Sequence, residues 1–145
     1  GKPIAEHYLS AAYALDPENM ELIYALGMCY QKFGFTEKAI DTYYSLLEKN
    51  INHTKAHYNL GYIHLGLKKD YTTAHEHFEN AIRCDSAYAD AFYMRGLCEE
   101  NLGNFRKARQ DYKLCLDMET NHNLAIIGLN RLDDNKGVKN NKKGS

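Results

Sequence analysis

An all-α fold of stacked helix pairs is what the sequence predicts, on three observations. The 145 residues include only 2 Pro and almost no Val, which disfavours a sheet-rich chain with many turns. Apolar residues make up 44% and charged residues 26%, the mix of a globular chain long enough for one sizeable core. Above all, the chain repeats itself. Gly27, Gly61 and Gly96 lie 34 and 35 residues apart, and Ala39, Ala74 and Ala108 lie 35 and 34 apart. Tyr43, Phe78 and Tyr112 each follow their alanine by four residues.

This register places helices near 4–15, 20–33, 36–49, 54–67, 71–84, 88–102, 105–118 and 122–133. The first carries Ala5, Leu9 and Ala12 in the phase of Ala39, Tyr43 and Leu46, so residues 1–19 read as the second helix of a truncated preceding repeat. Its uncovered apolar side is expected to support self-association or to pack on a neighbour. Three full units follow, at 20–53, 54–88 and 89–121. In each, the glycine lets the first helix approach the second where the alanine lies, and the large aromatic fills the space between units. Gly34 and Gly103 suit the turn after a first helix. The middle unit replaces that glycine with Lys68-Lys69-Asp70, where its one extra residue is expected. Residues 122–134 read as a capping helix, with Leu124, Ile127 and Leu132 along one side; residues 135–145 read as a flexible Lys/Asn-rich tail.

The units read Leu26-Gly27-x2-Tyr30 with Ala39-x3-Tyr43, Leu60-Gly61-x2-His64 with Ala74-x3-Phe78, and Arg95-Gly96-x2-Glu99 with Ala108-x3-Tyr112. This pattern resembles the tetratricopeptide repeat, a helix–turn–helix unit of 34 residues. Ile23, His57 and Phe92 stand in its Trp place, and Ile51, Ser86 and Thr120 in its Pro place. The resemblance implies a right-handed superhelical solenoid of antiparallel helix pairs whose first helices line a concave groove. The groove places hold Tyr24 and Met28 in the first unit, Lys55, Tyr58, Asn59 and Tyr62 in the second, and Tyr93 and Leu97 in the third. Tyr24, Tyr58 and Tyr93 form a ladder suited to an extended or helical peptide, with rings supplying area and hydroxyls and Asn59 bonding to backbone. The family's two-carboxylate clamp for chaperone C-termini fills five places with Lys, Asn, Asn, Lys and Arg. Here Tyr24, Met28, Asn59, Asp90 and Met94 occupy them, so only Asn59 matches and acidic chaperone tails are disfavoured.

Other chemistries find little support. With 18 Lys+Arg against 19 Asp+Glu the formal charge is −1, which argues against nucleic acid as a partner. No apolar run reaches the ~18–20 residues of a membrane span, so no membrane insertion is expected. Cys29, Cys84, Cys98 and Cys115 form no CxxC pair and read as free thiols in structural slots. The histidines show no zinc-ligand spacing, and Gly61-x4-Gly66 lacks the lysine of a phosphate loop. No cofactor, metal or catalytic constellation is expected. Arg95 replaces the Leu of the other units opposite Asp111, where a structural ion pair is expected.

The sequence therefore predicts a non-catalytic module that binds a peptide or protein segment in its groove. The alternative is a structural scaffold or self-associating segment of a longer repeat protein. Free thiols favour the cytoplasm, whereas Leu60-Gly61-Tyr62-Ile63-His64 and Gly128-Leu129-Asn130-Arg131-Leu132-Asp133 resemble bacterial repeat proteins, some of them envelope lipoproteins.

Overall fold

The computed structural model describes residues 4–141, with side chains as far as residue 134. Eight α-helices follow one another among them: α1 (Ile4–Leu15), α2 (Met20–Lys32), α3 (Thr36–Lys49), α4 (Thr54–Ile63), α5 (Tyr71–Cys84), α6 (Ala89–Asn101), α7 (Phe105–Met118) and α8 (Asn123–Asn141). Each packs on the helix before it and the helix after it, and α6 also meets α8. The result is a solenoid of antiparallel helix pairs, α2–α3, α4–α5 and α6–α7, with α1 and α8 at its ends.

Local chemistry starts several helices. The Asn19 side chain accepts from the Glu21 and Leu22 N–H groups at 3.1 and 3.2 Å, and Asp70 accepts from Thr73 N–H at 3.1 Å. Packing then follows from one device repeated along the array. A Cβ on Gly27, Gly61 or Gly96 would lie 2.6–2.8 Å from the ring of Tyr43, Phe78 or Tyr112, so each first helix rests directly on the fully buried aromatic of its second helix. The alanines in phase with these aromatics, Ala39, Ala74 and Ala108, are fully buried as well. Gly128 on α8 meets the other edge of Tyr112 at the same close range.

Two features depart from the expected element boundaries. The helix predicted over 54–67 ends at Ile63 and continues as a π turn over His64–Lys68. The loop that follows, residues 69–70, is shorter than its counterparts 33–35 and 102–104. The extra residue of the middle unit is therefore taken up inside the helical run, by widening its last turn, and not in the loop where it was expected. The last helix runs to Asn141, so helix extends into the stretch whose composition suggested a flexible tail; residues 142–145 lie outside the described residues.

Lys69 has φ 55°, the left-handed conformation that Gly34 (φ 79°) and Gly103 (φ 83°) adopt in the other turns. A side chain there strains the backbone, by about 1–2 kcal/mol, and glycine removes that strain while enlarging the unfolded ensemble. Lys69→Gly should therefore raise the unfolding free energy by about 0.5–1 kcal/mol, and Gly103→Ala should lower it by a similar amount. Urea midpoints at constant slope measure both.

The Arg95–Asp111 pair expected from the sequence is present and bidentate, with Nε and Nη2 donating to the two carboxylate oxygens at 2.9 and 2.7 Å. The guanidinium also lies 5.4 Å from the Phe92 ring centroid. All four cysteines are free, and Cys29, Cys98 and Cys115 are buried. Burial pushes the Cys98 thiol up to about 12 and the Cys115 thiol up to about 11, which keeps both unreactive. No helix among the described residues is long and apolar enough to cross a membrane.

Candidate functional site

The tyrosine ladder lies on the first helices, one ring per repeat, and each ring is wedged between two aromatic neighbours. Tyr24 lies 6.1 Å from Tyr43 and 5.3 Å from His53. Tyr58 lies 5.5 Å from Phe78 and stacks on Tyr88 at 4.9 Å. Tyr93 lies 5.7 Å from Tyr112 and 5.1 Å from His122. The first neighbour is the aromatic of the same repeat, and the second is the residue that opens the next first helix. Each ladder ring thus spans a joint between units.

Two of the three opening residues have a second role, whereas Tyr88 makes no side-chain cap. His53 Nδ1 accepts from Ala56 N–H and His122 Nδ1 accepts from Ala125 N–H, both at 3.1 Å, so each imidazole caps the helix behind it. Sequence reasoning missed these three residues. Their signal was a recurrence at 53, 88 and 122, always 29 or 30 residues after a ladder tyrosine.

Hydroxyl chemistry ties the ladder to its surroundings. Asn59 Nδ2 donates to the Tyr24 and Tyr43 hydroxyls at 3.2 and 3.1 Å, so the amide expected to bond a bound peptide is engaged within the array. Tyr43 donates to Gln31 Oε1 at 2.8 Å, and Tyr112 donates to Glu100 Oε2 at 2.6 Å. In the middle repeat the aromatic is Phe78, with no hydroxyl, and the place of Gln31 and Glu100 is taken by Leu65. Donor and acceptor vary together. Arg131 on α8 closes on Glu100 through Nε and Nη2 at 2.6 and 2.8 Å, which holds the Glu100 carboxyl below its ordinary range. Burial pushes the Tyr58 and Tyr93 phenols up and Tyr88 up to about 12, so these hydroxyls remain neutral at physiological pH.

The eight residues predicted to line the groove therefore divide. Tyr24, Tyr58, Asn59, Tyr93 and Leu97 are half-buried. Lys55 is exposed, and Met28 and Tyr62 are 48% and 50% exposed despite their apolar area. Met28 and Tyr62 hold equivalent places in adjacent repeats, with Leu97 next in phase.

Asp90, Glu119 and His122 bring three ligand-type atoms within 4.8 Å of one another. His122 Nδ1 uses its lone pair on Ala125 N–H, which leaves the proton of the neutral ring on Nε2, and Nε2 then donates to Asp90 Oδ1 at 2.9 Å. An imidazole in that state has no lone pair for a metal ion. Both ring nitrogens of His122 are thus engaged, one in the helix cap and one by Asp90.

Geometry of this kind defines a helical-repeat solenoid whose joints are bonded by aromatic rings. Residues 89–122 match the family model described as the tetratricopeptide repeat, and the chain has the fold of a tetratricopeptide-repeat solenoid. A crystal structure of MamA aligns over 93% of this chain and 78% of that one, with 23% identity and TM-score 0.84. The first TPR domain of Spaghetti (RPAP3), bound to an HSP90 peptide, aligns over 84% of this chain and 96% of that one, with 22% identity and TM-score 0.77. The second TPR domain of human RPAP3, in complex with an HSP70 peptide, aligns over 79% and 98%, with 24% identity and TM-score 0.73. At these identities the likeness is one of fold. No curated protein matches the chain by sequence.

Proposed function

We propose that the protein is a non-catalytic interaction module that holds a peptide or protein segment along the face of α2, α4 and α6. One observation carries the reading: Met28 and Tyr62 stand exposed at equivalent places of adjacent first helices, on the helices whose ladder rings are packed across the joints. A face of this kind supplies apolar contact at little cost in ordering, because the ladder rings are fixed by the joints. Solved complexes of the same fold with short peptides support the class of ligand. Those peptides, SRMEEVD and SGPTIEEVD, are acidic, whereas Tyr24, Met28, Asp90 and Met94 leave this face without the clamp's cations. The partner segment is therefore apolar or mixed in charge. The free thiols favour a reducing compartment such as the cytoplasm, with a bacterial envelope as the alternative.

The test begins with segments selected against the wild-type protein from a peptide display library. Met28→Ala/Tyr62→Ala should keep its unfolding free energy within about 0.5 kcal/mol, since both side chains are exposed, and should weaken the selected segments at least about tenfold. Undiminished binding by the double variant would sink the assignment of this face. Tyr58→Ala is a poor probe, because it removes a joint contact as well as a groove residue. A scaffold role is the second reading, favoured by Ile4, Tyr8 and Leu15 on α1, which are 77%, 69% and 89% exposed. Light scattering at rising concentration separates the two.

A further inference from the structure

Between the first and second repeats runs a line of hydrogen bonds that the binding face does not use. The Tyr44 hydroxyl lies 2.9 Å from His77 Nε2, His77 Nδ1 lies 3.3 Å from His57 Nδ1, and His57 Nε2 lies 2.8 Å from the Ile51 carbonyl oxygen. It joins α3, the loop that follows, α4 and α5. His57 and His77 are only 4% and 8% exposed. Ile23 and Phe92 take the place of His57 in the other repeats, and Thr42 and Asp111 that of His77, so neither can form such a line.

The contact with Ile51 fixes every proton along it. A carbonyl only accepts, so His57 carries its proton on Nε2 and presents a lone pair at Nδ1. His77 must then be protonated at Nδ1, which leaves Nε2 to accept from the Tyr44 hydroxyl. Two neutral rings are thereby satisfied at all four nitrogens. An added proton breaks this arrangement. On His57 Nδ1 it would face the N–H of His77, donor against donor. On His77 Nε2 it would require Tyr44 to turn, and would place a charge in a buried site between two other imidazoles, His57 at 5.6 Å and His64 at 5.8 Å, and the Tyr44 ring at 5.7 Å.

The surrounding charged groups do not offset that charge by direct contact. His53 opens α4 as its cap. Neither ring nitrogen of His64, in the π turn, has a hydrogen-bond partner, and its Nδ1 lies 3.9 Å from Asp70 Oδ2. On α5, Glu76 acts on Tyr44 from a distance, and Arg83 disfavours a proton on His57. From α6, Glu99 is bound to His75 Nε2 at 2.8 Å, on a different face of α5.

We propose that the Tyr44–His77–His57–Ile51 line is an acid-sensitive latch, closed at neutral pH and released when it gains a proton, which loosens the first repeat from the second. Burial, then the charges of His57 and His64, push His77 down from the ordinary 6.5 to about 4, and burial pushes His57 down as well. Folded values below the unfolded one mean that the latch contributes fully above about pH 6.5. Its contribution is lost as the pH falls toward about 4.

Two measurements on the full chain test the latch. Imidazole 15N shifts at pH 7.5 should show the Nε2–H tautomer for His57 and the Nδ1–H tautomer for His77; any other pairing overturns the proposal. Native-state hydrogen exchange between pH 7 and 4.5 should show amides of α4 and α5 losing protection relative to α6 and α7, by about tenfold to a hundredfold. Parallel behaviour of the two regions would also overturn it. His57→Phe/His77→Thr installs residues that the other repeats carry in these places, and should abolish the differential loss. Its persistence in a folded double variant would assign the acid response to other groups, and should that variant not fold, the wild-type measurements decide.

Discussion

Tyr112→Ala should lower the unfolding free energy by about 3–5 kcal/mol, the range for deleting a large aromatic from a core. The ring is fully buried and sits where three helices converge, with Gly96 of α6 on one edge and Gly128 of α8 on the other; a Cβ on either would come within 2.7 Å of it. No side chain at those glycines can reach into the space the ring leaves, so the cavity cannot be refilled without moving a backbone. Tyr112→Phe separates the hydroxyl from the ring and should cost about 1.5–3 kcal/mol, because the lost bond ends on a carboxylate. Phe78→Tyr in the middle repeat makes the opposite error. It presents a hydroxyl to Leu65, which cannot accept, and should also destabilise. Urea unfolding of the three variants measures the set.

Asp111→Ala is expected to cost about 3–5 kcal/mol, because it leaves the Arg95 guanidinium without its bidentate partner in a largely closed site. Side-chain exposure of 20% for Arg95 and 6% for Asp111 puts the pair well inside the surface. The first repeat shows what an uncharged version looks like, since Leu26 and Thr42 hold the equivalent places. Arg95→Leu/Asp111→Thr should therefore recover most of the loss and fall within about 1 kcal/mol of the wild type. Equal destabilisation by the single and double variants would mean that the pair itself, and not the stranded charge, holds α6 to α7.

Much of this fold was legible in the sequence because the device that makes it is periodic. Gly27, Gly61 and Gly96 recur with Tyr43, Phe78 and Tyr112, and each pair is one close helix crossing. The Arg95–Asp111 contact was legible for the same reason, as two departures from the repeat at facing places. The site was harder to read. Residues expected on a groove can face a partner or face the next repeat, and periodicity is identical in the two cases. Tyr24 and Asn59 turned toward the array because His53 and the Tyr43 hydroxyl lie within their reach. The π turn at His64–Lys68 was hidden by a different physics. One inserted residue can lengthen a loop or widen a helical turn, and the composition of Lys68-Lys69-Asp70 fits either. The imidazole line escaped because His57 and His77 belong to different helices, and only folding brings their nitrogens together.

The matching of Tyr43 with Gln31, Phe78 with Leu65 and Tyr112 with Glu100 bears on how such a chain can change over generations. A second helix exchanged between the middle repeat and either neighbour would carry the wrong aromatic for its new first helix, either burying an unanswered hydroxyl or orphaning an acceptor. One exchanged between the first and third repeats would part Arg95 from Asp111. The ladder rings extend the dependence one step further, to the residue that opens the following helix. The heritable cassette is therefore a helix pair together with the first residue of its successor. Recombination breakpoints that respect that cassette should yield folding chimaeras, and breakpoints inside a pair should not.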